Sequence, residues 1–204
     1  MIDFVITNLW LSLIVGGSFV LFVLWLKSKR KKRYDLSKIT IKDIDKMDGF
    51  EFEDYLYVFF CAVGYETYQT KKSRDFGADL LFVTTMEQRT VVQAKRYLDK
   101  VGLSAVQEVY SAQAFYDADT ALIVTSSNEL SEPCLKLATA TSVKIIDRED
   151  LIEMIHLFKK GDVEKVQALI ETPDEPVEYL AANSLIENEH KRGLIQSGDY
   201  FYKA

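Results

Sequence analysis

Three polar residues lie in two short segments that are otherwise rich in apolar and β-branched residues. Asp79 stands at the start of a predicted strand over 78–85, and Gln93 and Lys95 lie inside a second, over 90–96. Because side chains alternate between the faces of a strand, Gln93 and Lys95 point the same way, roughly 6–7 Å apart. Burying a carboxylate and an ammonium is costly unless they are paired or bound to a metal. The spacing predicts either a functional cluster or a buried structural ion pair.

Whether Asp79 joins this cluster depends on the register of the hairpin formed by the two strands. A symmetric hairpin with a four-residue loop at 86–89 places Asp79 opposite Arg96, on the face away from Lys95. A loop with an odd number of residues, or a β-bulge, places Asp79 opposite Gln93 or Lys95 instead. The cluster hypothesis therefore predicts an odd loop or a bulge.

The elements around these strands predict an α/β domain. In the helix before them, six apolar residues follow helical spacing: Phe52, Tyr55, Leu56, Phe59, Phe60 and Val63. Ser104, followed three residues later by Gln107, predicts a capping box that opens the next helix. The continuous apolar run 120–125 is typical of a buried strand. The order is helix, three strands, helix, strand, helix, strand, helix.

Two motifs carry a resemblance to a known family: Asp75-Phe76-Gly77-Ala78-Asp79-Leu80 and Val92-Gln93-Ala94-Lys95-Arg96. With Phe52-Glu53 in the first helix and Thr125-Ser126-Ser127 after the apolar strand, they resemble the Mrr-like restriction endonuclease domain. This domain is a branch of the PD-(D/E)xK nuclease superfamily. The resemblance extends from about Met47 to Leu151 and implies a restriction-endonuclease-like, three-layer αβα core with a central mixed sheet.

The resemblance also implies an activity, that of a magnesium-dependent endodeoxyribonuclease, and a role for each matching residue. Asp79 is then a carboxylate ligand of the metal, Gln93 takes the place of an acidic second ligand, and the Ala94 carbonyl contributes. Lys95 positions or helps to activate the attacking water, and Glu53 reaches the site from the first helix. Oxygen ligands with one or two carboxylates suit Mg²⁺, with Mn²⁺ as the alternative metal. Asp75 and Gln107 are further candidates beside the site.

Other function classes stay open at the level of the sequence. Because Gln93 is neutral, a non-cleaving nucleic-acid-binding or sensor protein that retains the nuclease fold is the main alternative. A membrane-bound scaffold requires the three polar residues to be a coincidence. By analogy with the family, the setting is restriction of, or defence against, foreign DNA. The sequence shows no separate module for reading DNA, so target selection is expected to need a homodimer or a partner protein.

The N-terminal segment predicts a membrane anchor. Residues 4–26 contain no charged side chain, and at about 1.5 Å per residue a helix of that length crosses a hydrocarbon core of roughly 30 Å. The basic run 27–33 favours the cytoplasmic side, which predicts a single-pass protein of the cell membrane with its C-terminal domain in the cytoplasm. A cleaved signal peptide, the competing interpretation, has its basic residues before the apolar run, where only Asp3 is charged here.

The charge is distributed unevenly along the chain. The 204 residues carry a net charge of −6, but residues 1–33 hold six basic residues and one acidic residue, which leaves −11 for residues 34–204. DNA binding by such a body cannot depend on bulk positive charge and requires a metal, a local basic face or a partner. The predicted organisation is an anchor with its basic collar (1–33), a linker (34–46), the nuclease domain (47–170) and an acidic tail (171–204).

Overall fold

The computed structural model describes residues 15–22, 34–71, 76–97, 99–174, 190–191, 194–197 and 199–203. The chain divides into two compact units, Met1–Lys38 and Ile39–Ala204. In the first unit, residues 15–22 are helical. Most of the segment 4–26, for which the sequence predicts a membrane-spanning helix, lies outside the described residues. Within those residues, no helix is both long enough and apolar enough to span a bilayer.

The described part of the second unit contains six helices and two sheets. The helices are α1 (Ile41–Ile44), α2 (Gly49–Val63), α3 (Leu103–Phe115), α4 (Glu132–Thr141), α5 (Arg148–Lys160) and α6 (Val163–Glu171). The strands of the larger sheet are β1 (Glu66–Gln69), β2 (Leu80–Val83), β3 (Arg89–Lys95), β4 (Thr120–Thr125) and β5 (Lys144–Ile146). The smaller sheet consists of β6 (His190–Lys191), β7 (Leu194–Ser197) and β8 (Tyr200–Lys203).

The five-stranded sheet is mixed, with its strands in sequence order from β1 to β5. Strands β1, β2 and β3 pair antiparallel, whereas β3 with β4 and β4 with β5 pair parallel. Parallel neighbours need a crossover connection, which α3 and α4 provide. This arrangement confirms the predicted α/β fold with a central mixed sheet.

Large aromatic rings fill the space between α2 and one face of the sheet. Phe60 of α2 lies 4.9 Å from Phe82 of β2 between ring centroids, and Tyr65 stacks on the same ring at 4.6 Å. Phe59 packs on Phe158 of α5 at 5.1 Å. The apolar spacing predicted for α2 is confirmed, because all six of its predicted core residues are buried.

Smaller side chains fill the space between α3, α4 and the other face of the sheet. The buried residues that the two helices contribute are Ala105, Val106, Val109, Ala112, Cys134 and Ala138. They pack with Leu81, Val91 and Ile123 from the strands. Because alanine and valine fill little volume, the backbone of α3 lies close to the elements that it covers.

The predicted capping box at Ser104 is wrong. Helix α3 begins at Leu103 after an extended Gly102, without a side-chain cap, so that Ser104 lies inside the helix. The preceding residue, Val101, is held by a parallel bridge to Leu130 and donates its N–H to the Glu129 carbonyl at 2.9 Å. This long-range bridge holds the extended chain up to Gly102, and the N-cap lies two residues before the Ser104 that the local pattern indicated.

The C-terminal segment, for which the sequence predicts an acidic tail, contains a small antiparallel sheet of β6, β7 and β8 near the end of the chain. Several residues of these strands are aromatic or β-branched, which favours strands. Residues 175–189, between α6 and this sheet, lie outside the described residues.

Candidate active site

The hairpin of β2 and β3 has the odd loop that the cluster hypothesis requires. The loop is Thr84–Gln88, five residues long, and not the four residues 86–89. Leu80 pairs with Val92, and the preceding Asp79 donates its N–H to the Val92 carbonyl at 2.8 Å while its side chain reaches Gln93. The structure therefore brings Asp79 to the face of the sheet that carries Gln93.

The Asp79 carboxylate is in direct contact with the Gln-x-Lys strand. Its Oδ2 accepts hydrogen bonds from Gln93 Nε2 at 2.6 Å and from the Ala94 N–H at 2.8 Å. Gln93 is buried, with 6% of its surface exposed. Since the N–H and C=O of one strand residue point to the same neighbouring strand, the Ala94 carbonyl faces the edge at which Asp79 lies. The three residues predicted as metal ligands thus meet where β2 begins and β3 ends.

Lys95 makes an ion pair with a residue that the sequence analysis did not identify. Its Nζ lies 2.8 Å from Oε2 of Glu108 on α3, and only 15% of the lysine side chain is exposed. Burial acts to lower the pKa of Lys95, but the Glu108 carboxylate, with smaller contributions from Tyr97 and Asp79, raises this pKa above its ordinary value. Lys95 is therefore an ammonium at neutral pH and supplies positive charge to the cluster.

Gly77 brings the Asp79 loop into contact with α3. Its φ angle of +91° lies in the left-handed region, which a side chain disfavours. A Cβ at this position would lie 2.3 Å from the backbone oxygen of Glu108, far inside the contact distance. The backbone of Glu108 thus touches the loop that carries Asp79, while its side chain holds Lys95. One helical residue joins the two motifs.

The Thr-Ser-Ser motif after the apolar strand fixes the backbone at the end of β3. Thr125 Oγ1 and the Ser126 N–H both donate to the Lys95 carbonyl, at 2.9 and 3.2 Å. Ser126 Oγ donates to the Tyr97 carbonyl at 3.0 Å, and Thr125 Oγ1 also accepts from the Ser127 N–H at 3.1 Å. These contacts give the motif a positioning role at the residue that carries the ammonium.

Two arginines connect the same edge of the sheet to the start of α2. Arg96 donates through Nε to the Met47 carbonyl and through Nη2 to the Asp45 carbonyl, both at 2.8 Å. Arg148 makes a bidentate ion pair with the Asp45 carboxylate, with both N···O distances at 2.7 Å. It also donates to the Ser126 carbonyl at 2.9 Å. The hydrogen bonds from Arg148 hold the pKa of Asp45 below its ordinary value.

The other predicted site residues are not joined to this cluster by any contact described above. Glu53 lies near the start of α2 and is half-buried, and its part in the site stays a prediction. Asp75 lies outside the described residues. Gln107 is exposed on α3, and its neighbour Glu108 makes the contact with Lys95. One feature of the sequence could have identified Glu108 as the partner of a basic residue elsewhere. It is the single acidic residue of α3, and the helix has no basic residue to pair with it.

Three solved structures show low similarity to this chain. AspBHI, a DNA modification-dependent restriction endonuclease, has 17% identity and a TM-score of 0.45, over 71% of this chain and 41% of that chain. AF1548, a protein of unknown function, has 16% identity and a TM-score of 0.45, over 60% of this chain and 79% of that chain. A repair endonuclease from Pyrococcus abyssi has 18% identity and a TM-score of 0.37, over 56% of this chain and 48% of that chain.

The chain spans less than half the length of AspBHI and of the Pyrococcus abyssi endonuclease. No curated protein sequence matches it. The family model described as Mrr_cat, restriction endonuclease, matches residues 44–155, which is more than half of the chain and contains Asp79, Gln93, Lys95 and Glu108. The chain belongs to the Mrr_cat restriction endonuclease family.

Proposed function

We propose that this chain is a metal-dependent endonuclease that hydrolyses phosphodiester bonds of DNA. Its active site consists of Asp79, Gln93, Ala94 and Lys95. The observation that carries the proposal is the contact of the Asp79 carboxylate with Gln93 and Ala94, at 2.6 and 2.8 Å, next to the Lys95 ammonium. Membership of a restriction endonuclease family supports the same activity.

The donor set at this edge fits Mg²⁺. A carboxylate from Asp79, an amide from Gln93 and a backbone carbonyl from Ala94 are the hard oxygen groups that Mg²⁺ prefers, and this ion needs only one or two carboxylates. The Gln93 amide presents Nε2 to Asp79, and a half-turn of the amide presents its oxygen instead. When bound, the metal stabilises negative charge on the phosphate and lowers the pKa of the attacking water.

The protein groups around the donors orient the substrate and balance its charge. The Lys95 ammonium faces the same side as Asp79, so it offsets phosphate charge and hydrogen-bonds the attacking water. Glu108 holds Lys95 in this position, and the hydrogen bonds from Thr125 and Ser126 prevent the end of β3 from shifting. The resemblance to the family supports a role for Glu53 of α2, and we propose that it contacts the site through a water molecule.

A cleavage assay tests this proposal. The full chain is incubated with supercoiled plasmid in Mg²⁺, in Mn²⁺ and in EDTA, beside Asp79→Asn and Lys95→Met proteins. We expect metal-dependent nicking or cutting that falls on the order of 10²–10³-fold in each variant, as for the loss of other groups that stabilise charge at an active site. The matched controls are Asp99→Asn and Lys100→Met, at exposed positions, which keep full activity. Equal cleavage by Asp79→Asn and the native chain contradicts the proposal.

One observation favours a second function, DNA binding without cleavage. Asp79 is the single carboxylate among the three proposed metal ligands, with the neutral Gln93 where the wider superfamily has an acid, so the affinity of the site for a metal is reduced. On this alternative the native chain binds DNA and does not cut it with either metal, whereas Gln93→Glu gains cleavage. Cutting by the native chain eliminates the alternative.

We also propose that residues 4–26 anchor the protein in the cell membrane with the nuclease domain in the cytoplasm. The support is the sequence itself, an uncharged run followed by the basic segment 27–33. The full chain should stay with the membrane fraction in alkaline carbonate, and Phe19→Arg with Val20→Arg should release it. Release of the native chain by carbonate contradicts the anchor.

We further propose that the biological role is restriction of foreign DNA. Family membership supports this role, since a nuclease placed at the membrane meets DNA as it enters the cell. Cells that produce the native chain should take up foreign plasmid DNA less efficiently than cells that produce Asp79→Asn. Equal transformation efficiency in the two strains contradicts the role and leaves the cleavage assay unaffected.

A further inference from the structure

A cavity of about 290 Å³ lies at the edge of the five-stranded sheet where β3 and β4 begin. Thr90 of β3 and Thr120 of β4 line this cavity, and their hydroxyl oxygens lie 2.7 Å apart. Lys95 and Thr125, at the candidate active site, stand at the other ends of the same two strands. Five steps of about 3.3 Å separate Thr90 from Lys95 along β3, so the cavity lies roughly 16 Å from that site.

Three helices end at this cavity. Gln113, Thr141 and Glu171, which lie in the last turns of α3, α4 and α6, belong to its wall. The helices that connect parallel strands run opposite to the strands, so α3 and α4 end at the edge where β4 and β5 begin. Because the C-terminus of a helix carries a partial negative charge, the three helix ends favour a cation in the cavity.

Two carboxylates add full negative charges to the wall of the cavity. Asp119 accepts a hydrogen bond from the Arg89 backbone N–H at 2.8 Å. Glu171 accepts a hydrogen bond from the Tyr65 hydroxyl at 2.7 Å. Since neither donor group is charged, these contacts orient the two carboxylates without neutralising them. The Arg89 guanidinium donates instead to the Asp117 carbonyl, at 3.5 Å.

Lys144 is the one basic residue among the described residues that line the cavity. Its Nζ lies 3.2 Å from Oδ1 of Asp174 and also donates to the Thr172 carbonyl. The other carboxylate oxygen of Asp174 accepts from the Ile145 N–H at 3.2 Å. Because Lys144 and Asp174 balance each other, the net charge of the wall is that of Asp119 and Glu171.

Apolar side chains form another part of the wall. They are Phe82, Ala121, Leu122, Ile170 and Pro173. A bare metal ion gains nothing from apolar surface, whereas a hydrocarbon chain that covers this surface removes it from water. The combination of two carboxylates with apolar side chains therefore suits an organic cation.

We propose that this cavity binds a short aliphatic diamine, which carries an ammonium group at each end. One ammonium pairs with Asp119 and the other with Glu171, while the methylene groups contact the apolar wall. Each ammonium has three N–H donors, so it can also hydrogen-bond the Thr90 and Thr120 hydroxyl groups. The bound molecule connects the β2–β3 loop and the start of β4 to the C-terminal ends of α4 and α6.

Isothermal titration calorimetry tests the binding. The full chain, dispersed in detergent, is titrated with the diamines from 1,3-diaminopropane to 1,6-diaminohexane. We expect saturable binding of at least one of them, and an affinity that falls roughly tenfold or more in Asp119→Asn and in Glu171→Gln, because each change removes a charge but keeps a hydrogen-bond acceptor. The matched controls Asp99→Asn and Glu153→Gln, at exposed positions outside the cavity wall, keep the native affinity.

Four results overturn the proposal. The first is that none of the diamines binds, and the second is that the two control variants lose as much affinity as Asp119→Asn and Glu171→Gln, which would assign binding to the acidic body in general. The third is equal binding of 1,4-butanediol, an uncharged molecule of similar length to 1,4-diaminobutane. The fourth is Mg²⁺ that displaces the diamine and itself depends on Asp119 and Glu171, which would make the cavity a metal site.

Hydrogen exchange tests the location of the bound diamine. The Thr84 N–H donates to the Gln88 carbonyl and the Thr172 N–H donates to the Ala168 carbonyl, both at 2.9 Å, on opposite walls of the cavity. Exchange at both positions should slow when the diamine binds, since the bound molecule opposes local opening. Exchange that slows around Asp79 instead would place the diamine at the candidate active site and overturn the proposal.

The proposal does not depend on the proposed function. Asp79→Asn should bind the diamine with native affinity, because Asp79 lies at the opposite edge of the sheet. Loss of diamine binding in Asp79→Asn overturns the proposal, whatever the cleavage assay shows. Binding that depends on Asp119 and Glu171 confirms it, even if the chain cleaves DNA with neither metal. Circular dichroism verifies that each variant is folded.

Discussion

The two faces of the central sheet are built from different kinds of side chain. Between the sheet and α2, aromatic rings such as Phe60, Tyr65 and Phe82 pack at centroid distances of 4.9 and 4.6 Å. Between the sheet and α3, most of the buried residues are alanine and valine. The second face carries Asp79, Gln93 and Lys95, with Glu108 reaching them from the helix.

This difference predicts that the α2 side mainly determines the stability of the fold and the α3 side the geometry of the candidate site. Large rings remove much apolar surface from water, so the α2 face supplies most of the hydrophobic stabilisation. Small residues let the α3 backbone approach until Gly77 touches Glu108, so the α3 side supplies the precise placement of the site. Variants on the α2 face should therefore change the free energy of unfolding, and variants on the α3 side should change cleavage.

The largest effect on stability is expected for Phe60→Ala. Removal of a fully buried ring leaves a cavity, so the free energy of unfolding should fall by roughly 3–5 kcal/mol. The cleavage rate of the molecules that remain folded should stay unchanged. Urea unfolding and plasmid cleavage check the two statements, with Val58→Ala, an exposed position on the same helix, as the control. A comparable loss of cleavage per folded molecule would show that the two faces are coupled.

Gly77→Ala should affect both quantities. The left-handed backbone and the 2.3 Å approach to the Glu108 oxygen leave no room for a methyl group, so unfolding should become easier by roughly 2–4 kcal/mol. Cleavage by the folded fraction should also fall, since Asp79 and α3 move apart. Gly49→Ala is the matched control, because its Cβ meets open space at the start of α2. Equal stability of the two variants would refute the close contact.

Glu108→Gln should reduce activity with little change in stability. The amide can still accept a hydrogen bond from Lys95, but without the carboxylate the pKa of Lys95 falls, because burial acts to lower it. We expect the maximal cleavage rate to drop about tenfold, equivalent to about 1.4 kcal/mol, while the Michaelis constant for DNA changes little. The control is Gln107→Ala on the exposed side of α3. An unchanged rate would reduce Glu108 to a structural role.

The smallest effect is expected from the polar network that joins the two faces at the edge of the sheet. The hydrogen bonds from Arg148 depress the pKa of Asp45, so this carboxylate stabilises the fold at pH values above its unfolded pKa of about 3.9. The stabilisation disappears as the pH falls through the lower, folded pKa. Asp45→Asn should therefore cost about 1 kcal/mol at pH 7, discounted for the partial exposure of the pair.

Urea unfolding of the native and Asp45→Asn proteins at pH 7 and at pH 3 measures this difference. The two proteins should converge at the lower pH, whereas Asp99→Asn, at an exposed position, should match the native chain at both. A difference between Asp45→Asn and the native chain that persists unchanged into acid would assign the effect to packing instead of charge.

Local patterns in the sequence determined most of the elements and the content of the site. The helical spacing of α2, with Asp48 accepting from Glu51 N at 2.8 Å and Gly64 at φ +101°, depends on neighbouring residues alone. The period-two pattern likewise placed Gln93 and Lys95 on one face, because strand geometry requires it. The motif spacing was sufficient to indicate the family.

Hairpin register was decided by contacts that the sequence pattern does not reveal. The loop closes at Thr84, whose N–H donates to the Gln88 carbonyl at 2.9 Å and whose Oγ1 accepts from the Gln88 N–H at 3.2 Å. These bonds make the loop five residues long, so that Leu80 pairs with Val92 and the Asp79 carboxylate reaches Gln93. A shift of one residue would have turned Asp79 to the other face, and the residue types in the loop do not distinguish the two registers.

The sequence by itself thus determined which residues form the candidate site, because their types and strand period are local properties. Tertiary structure alone decided what holds them. Glu108 meets Lys95 from a separate helix, and Arg148 meets Asp45 across 103 residues of chain. Such pairs form only when packed elements bring distant residues together, so their partners depend on how the helices lie against the sheet and not on the spacing of residues along the chain.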